Sequence, residues 1–160
     1  MITDLGKILE ELQFTTSKSE VSLSLFVYHI YKGNYEKAEG FFEKFSVYID
    51  DEPINLNLFY MAFRKDFEIF QSPSPLEGLR IFRENEIDVL VTDQQMPYMT
   101  GLEVIRQVKA ERPEKNCILL TAYYDPGLMN DPEFNTIVFK YLEKPFRKEQ
   151  MRQLILEASQ

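Results

Sequence analysis

Val91-Thr92-Asp93-Gln94-Gln95-Met96-Pro97-Tyr98-Met99-Thr100-Gly101 is the stretch on which the reading of the fold turns. An apolar run, Ile87 to Val91, leads to Asp93, and the chain then breaks at Pro97 and Gly101. A strand that ends on an acid, followed by a loop and a new helix, presents its carboxylate at an exposed sheet edge. In an open α/β sheet that edge is where ligands and chemistry collect.

Working outward, strand-like and helix-like segments alternate on both sides of Asp93. Upstream, Ser46-Val47-Tyr48-Ile49 is a β-prone run ending on Asp50-Asp51-Glu52, and Pro53 suits the first turn of a helix carrying Leu56, Phe59, Tyr60 and Phe63. Phe67 to Phe70 reads as a second strand, and Ser74 to Asn85 as a helix with Leu76, Leu79, Ile81 and Phe82. Downstream, a helix is predicted from Leu102 to Glu111, a strand from Cys117 to Leu120 ending at Thr121, and a fifth strand from Ile137 to Leu142 ending near Lys144-Pro145. Lys148 to Ala158 closes the chain as a helix. Between the last two strands, two prolines, a glycine and helix-averse residues over 124–132 predict a short or distorted helix. Five such units imply an α/β fold, a doubly wound parallel sheet with right-handed crossovers.

Residues 1–45 have a different rhythm and are expected to form a helical extension ahead of a domain spanning 46–160. Leu5, Ile8, Leu9 and Leu12 have helical spacing, with Thr3 or Asp4 available as N-cap. A polar break at 15–19 precedes a helix from about Glu20 to Tyr31, a turn at Gly33, and a helix from about Tyr35 to Phe45. Gly33 to Ala38 with Phe42 is similar to half of a tetratricopeptide motif, but it occurs once, and such repeats need stacked neighbours. The aromatic content of this hairpin suggests that it packs on the following domain or on a second copy of the chain.

The 160 residues carry a net charge of −8, which argues against a nucleic-acid footprint. No apolar run approaches the ~18 residues of a membrane span, and the amino terminus lacks a basic n-region. A single cysteine, Cys117, rules out an intrachain disulfide and fits a reducing, cytoplasmic setting; it reads as an inert core residue. His29, the only histidine, reads as a packed or surface residue and not a phosphodonor.

In a parallel sheet, Asp50 and Asp51, Asp93, Thr121 and Lys144 all fall at carboxyl ends of strands and so share one edge. Grouped carboxylates repel: two unit charges about 4 Å apart cost about 4 kcal/mol at an effective dielectric near 20. A divalent cation relieves this, and an oxygen-only ligand set with no His/Cys cluster selects a hard ion, Mg²⁺ foremost. A carboxylate flanked by a metal, a lysine and a hydroxyl is arranged to receive a phosphoryl group, whose equatorial oxygens need neutralising.

Four segments in order, Tyr48 to Pro53, Val91 to Pro97 with Gly101, Leu119 to Ala122, and Glu143 to Phe146, resemble the receiver domain of two-component response regulators over residues 46–158. The resemblance implies a five-stranded sheet of order 2-1-3-4-5, the chemotaxis-response-regulator-like order of flavodoxin-like folds. It implies Asp93 as phosphoacceptor and Mg²⁺ held by Asp51, Asp93 and the Gln95 backbone carbonyl, with Asp50 acting partly through water. Lys144 would pair with the phosphoryl group and with Asp93. Thr121 would move inward with Tyr141 as the two-state readout, although Tyr141 also reads as ordinary strand packing. Pro145 matches a position usually preceded by a cis peptide bond. Gln95 and Tyr123 occupy positions where the family varies, and their bulk predicts slow loss of the phosphoryl group. The irregular 126–132 segment stands where a signalling helix belongs, which puts the family's usual dimer face in doubt.

The leading expectation is therefore a Mg²⁺-dependent, phosphorylation-activated switch in a phosphorelay, not a turnover enzyme. Its partners would be a sensor histidine kinase or phosphotransfer protein and a downstream protein target, with the hairpin serving output, homodimer formation, or both. Neither nucleic acid nor membrane is expected as a partner. The competing reading is a phosphorylation-independent scaffold, or pseudo-receiver; the complete acid, threonine and lysine set speaks against it.

Overall fold

Five short runs rich in β-branched and aromatic residues pair side by side in the computed structural model, which describes residues 44–160. The elements are β1 (Phe45–Ile49), α1 (Pro53–Phe63), β2 (Glu68–Ser72), α2 (Pro75–Glu84), β3 (Val89–Asp93), α3 (Gly101–Glu111), β4 (Asn116–Thr121), α4 (Pro126–Met129), α5 (Phe134–Ile137), β5 (Lys140–Glu143) and α6 (Lys148–Ala158). The helices expected before Lys44, the half-repeat resemblance and His29 lie outside the described residues. Among the described residues, no helix is long and apolar enough to cross a membrane.

All four pairings are parallel and the order is β2-β1-β3-β4-β5, as expected. Side chains alternate across each strand, so the sheet feeds two cores. Val47, Ile49, Leu90, Cys117 and Leu119 pack with Leu79, Phe82, Val104 and Ile105 of α2 and α3. Tyr48, Val89, Val91, Ile118 and Leu120 pack with Leu56, Phe59 and Phe63 of α1 and Met151 and Ile155 of α6. β3 is buried at every position and β4 at all but its first residue, which suits central strands covered on both faces. Cys117 is fully buried, and burial pushes its thiol up to about 12, so it is inert at neutral pH.

Several boundaries differ from expectation. Phe45 opens β1, its N–H bonded to the Asp88 carboxylate at 2.8 Å, where the sequence places it at a helix end. β2 begins after Phe67, which stays tied to the end of α1 through Phe63 O at 3.0 Å. β3 runs two residues beyond Val91 because the ladder with β4 continues to the Asp93–Leu120 pair. The apolar Ile137-Val138 does not open β5. Hydrogen bonds from Ile137 N–H to Glu133 O and from Val138 N–H to Phe134 O close a helical turn, and pairing resumes when Phe139 N–H reaches Cys117 O. Tyr60 and Leu76 face outward, because the sheet-facing stripes are Leu56, Phe59 and Phe63 on α1 and Leu79 and Phe82 on α2. The distorted fourth helix is confirmed: one turn at α4 and one at α5 replace a continuous helix.

Ser46 Oγ in β1 is fully buried with no hydrogen-bond partner among the described residues. An unsatisfied buried hydroxyl costs free energy that its removal recovers. Ser46→Ala is therefore expected to stabilise the protein by about 1 kcal/mol, seen as a higher urea midpoint at unchanged slope. A lower midpoint would show that the hydroxyl has a partner in solution.

Candidate functional site

The parallel ladders bring the ends of β1, β3, β4 and β5 to one edge. Ile49 pairs with Thr92, so the next residues, Asp50 and Asp93, emerge side by side. Lys144 follows β5, its backbone N–H bonded to Thr121 O at 2.7 Å, and the Lys144–Pro145 bond is cis, as expected. The Lys144 ammonium spans both acids, 2.7 Å from Asp50 Oδ2 and 2.6 Å from Asp93 Oδ1.

The three acids differ in their surroundings. Asp50, 1% exposed, accepts from Tyr48 Oη at 2.5 Å, Lys144 Nζ at 2.7 Å, Glu52 N–H at 3.0 Å and Asn55 Nδ2 at 3.1 Å. Asp93 accepts from Lys144 and, at 2.9 Å, from the Gln95 backbone N–H. Asp51 is partly exposed and takes no hydrogen bond or ion pair from any described residue. Burial raises the Asp93 carboxyl above its ordinary value, and the Asp50 charge adds to the rise against the pull of Lys144. Burial pushes Asp50 the same way, but its donors, Lys144 first and then Tyr48, together outweigh it and hold that carboxyl low. For Lys144, burial acts to lower the ammonium, and the bonds to Asp50 and Asp93 more than reverse it. One lysine balances one carboxylate, so the trio keeps a net negative charge at a largely buried place.

Lys144 relieves part of the repulsion between Asp50 and Asp93 and leaves one negative charge of the trio uncompensated. No three acid, histidine or cysteine side chains gather at metal-holding spacing among the described residues.

The loop after β3 is built to hold Asp93 still. Gln94 O accepts from Gly101 N–H, and Gln94 Oε1 accepts from Leu102 N–H, both at 3.0 Å. Thr100 and Glu103 form a capping box that starts α3 at this point. Gly101 is required by close approach: a Cβ there would lie 2.2 Å from Asp93 O and 2.6 Å from Leu119 Cδ1. Tyr98, at φ 70°, takes the left-handed turn conformation with its ring in solvent.

Thr121 is buried at the end of β4, and its hydroxyl donates to Tyr123 O at 2.8 Å. Tyr141 is half-buried away from the edge, edge-on to Phe134 with ring centroids 5.8 Å apart. Gln95 Nε2 donates to Tyr123 Oη, joining the two positions singled out in the sequence. Tyr48 and Asn55 were not foreseen as site residues. The available signal was spacing, since Tyr48 and Asp50, two apart at a strand end, lie on one face.

Replacing Asp93 removes the surplus charge and leaves Lys144 paired with Asp50. A carboxyl raised in the fold disfavours folding above its ordinary value of about 3.9 and ceases to do so once both states are protonated. Asp93→Asn is accordingly expected to raise the melting temperature by a few degrees at pH 7, with the gain vanishing below about pH 3.9. Melting curves at both pH values check this, and a lower melting temperature at pH 7 contradicts it.

A family model described as the response regulator receiver domain matches residues 47–156. A response regulator receiver domain protein from Clostridium thermocellum is similar at 32% identity and TM-score 0.66, over 72% of this chain and 93% of that one. The response regulator protein TrrA from Thermotoga maritima, solved in complex with Mg(2+)-BeF, is similar at 25% identity and TM-score 0.65, over 72% of this chain and 98% of that one. The transcriptional regulatory protein GlrR of Escherichia coli (strain K12) is 28% identical over 113 residues, 69% of this chain and 25% of GlrR. The chain spans about a quarter to a third of the length of such curated relatives. With the matched sheet order, the edge trio and a family model covering most of its length, the chain belongs to the response regulator receiver family.

Proposed function

We propose that this chain is a phosphorylation-activated switch that takes a phosphoryl group onto Asp93 from a histidine kinase or phosphotransfer protein, with Mg²⁺ as cofactor. The observation that carries this reading is the Lys144 ammonium seated between Asp50 and Asp93 at the sheet edge. An Asp93 oxygen attacks phosphorus, the bond from phosphorus to imidazole nitrogen or acyl oxygen breaks, and the leaving imidazole takes a proton or the acylate departs. Lys144 holds the nucleophile in place and is within reach of a phosphoryl oxygen once one arrives.

The donor set fits Mg²⁺ in kind. Asp51 has no donor among the described residues, Asp93 is adjacent at the edge, and Mg²⁺ is commonly bound through one or two carboxylates while keeping several waters. Asp51, Asp93 and the Gln95 carbonyl would hold it, where it would neutralise charge developing on the transferred group. Thr121 then exchanges its bond to Tyr123 O for one to the phosphoryl group, and Tyr141 follows. A two-state element of this kind carries the signal to a protein surface.

We read the chain as a switch that does not turn over substrate. GlrR is named as a transcriptional regulatory protein, but this chain matches only a part of it. The charge of −8 makes protein contact, not DNA contact by this chain, the favoured output, with homodimer formation as one route.

Incubation with acetyl phosphate or phosphoramidate and Mg²⁺ is expected to add one phosphoryl group by intact mass, and Asp93→Asn to abolish the gain. No gain with either donor would favour the scaffold reading. The Gln95–Tyr123 bond forms a polar bar beside Asp93 that hinders attacking water. Tyr123→Ala or Gln95→Ala is expected to shorten the phosphoryl half-life several-fold, and an unchanged or longer half-life would refute that shielding.

A further inference from the structure

We infer that Tyr48 is a positioning residue that withholds Asp50 from the metal, leaving Asp50 as the fixed counter-ion of Lys144 and Asp51 as the metal carboxylate. The inference rests on the reading of Asp93 as a Mg²⁺-assisted phosphoacceptor.

An ionised carboxylate offers about four lone-pair sites on its two oxygens. Four donor groups of the protein occupy Asp50: Glu52 N–H on Oδ1, Tyr48 Oη and Lys144 Nζ on Oδ2, and Asn55 Nδ2, 3.1 Å from Oδ1 and 3.2 Å from Oδ2. No lone pair remains for a cation or for the water of a hydrated one. Asp51, the next residue, accepts no hydrogen bond or ion pair from any described residue. Neighbouring acids in the sequence thus hold opposite roles, and the division is imposed by side chains that lie outside the reacting group.

Tyr48 is the donor best placed to enforce this. It is 2% exposed, its ring stacks on Phe59 at 4.2 Å, and its hydroxyl reaches Asp50 at 2.5 Å. Buried in the α1/α6 core, the phenol has no solvent to turn to. Its proton is held on Asp50 by packing, and it lowers the negative potential that Asp50 would otherwise present to a cation at Asp51 and Asp93. A tyrosine here therefore weakens Mg²⁺ binding relative to a phenylalanine of the same shape.

Mg²⁺ titration by isothermal calorimetry at pH 7, on the full chain and its variants, tests this. Tyr48→Phe keeps the stacking and is expected to tighten Mg²⁺ binding about three- to ten-fold. Asn55→Ala, which removes a second donor from Asp50 without emptying the core, is expected to tighten it in the same direction. Asp51→Asn should weaken binding more than ten-fold, and Asp50→Asn by no more than a few-fold. A merely structural role for Tyr48 would lower the melting temperature and leave Mg²⁺ affinity unmoved. Unchanged or weaker affinity in Tyr48→Phe, or equal losses in Asp50→Asn and Asp51→Asn, overturns the inference. If the wild type still takes a phosphoryl group from acetyl phosphate, the proposed function survives that result. A wild type that neither binds Mg²⁺ nor takes the group overturns both.

Discussion

The site depends on a buried ammonium held between two carboxylates. Lys144 sits against Asp50 and Asp93 at ion-pair distance, where burial penalises every charge not locally compensated. Two acids to one base leave the edge with one uncompensated negative charge, so in the proposed reaction a further cation is needed before a phosphoryl group can be received. Of the two acids, the one proposed to react is the less fully satisfied. Asp93 accepts from Lys144 and one backbone N–H, whereas Asp50 is saturated.

The rest of the fold serves to hold these groups in register. A parallel ladder fixes the heights of Asp50 and Asp93 relative to one another, and β4 and β5 place Thr121 and Lys144 at the same level. Two cores, one per sheet face, remove the strands from water; burial at roughly 25 cal/mol per Å² of apolar surface is the main favourable term. The close approach of Gly101 to Asp93 O clamps the loop that follows Asp93. On the opposite flank, α4 and α5 are single turns, tied to α3 through Arg106, which pairs with Asp131 and, at 2.8 Å, with Glu133. The short helices therefore lean on α3 for support that a continuous helix would supply itself.

Much of the fold was legible because strand ends and helix starts carry marked residues. Asp93 before Pro97 and Gly101, Asp50 before Pro53, and Lys144 before Pro145 each sit where an apolar run stops. Where the reading slipped, a local apolar pattern lacked the information that long-range pairing supplies. Ile137-Val138 looks like strand, but their N–H groups donate to Glu133 O and Phe134 O, which makes Ile137 the last helical residue and Val138 its cap. Leu76 looks like core and is 70% exposed, because Leu79 and Phe82 already occupy the face of α2 that meets the sheet.

The sequence by itself determined most element types and which polar residues share an edge, because period, punctuation and parallel topology leave few alternatives, while the order of the sheet came from the family resemblance. Only the tertiary structure decided how those polar residues divide their work. That Lys144 joins Asp50 to Asp93, that Tyr48 and Asn55 saturate Asp50, and that no described residue bonds Asp51 all depend on which side chains from separate elements meet within about 3 Å, the scale of a hydrogen bond. Spacing along one chain places residues on a face or at an edge; it does not say which donor reaches which lone pair.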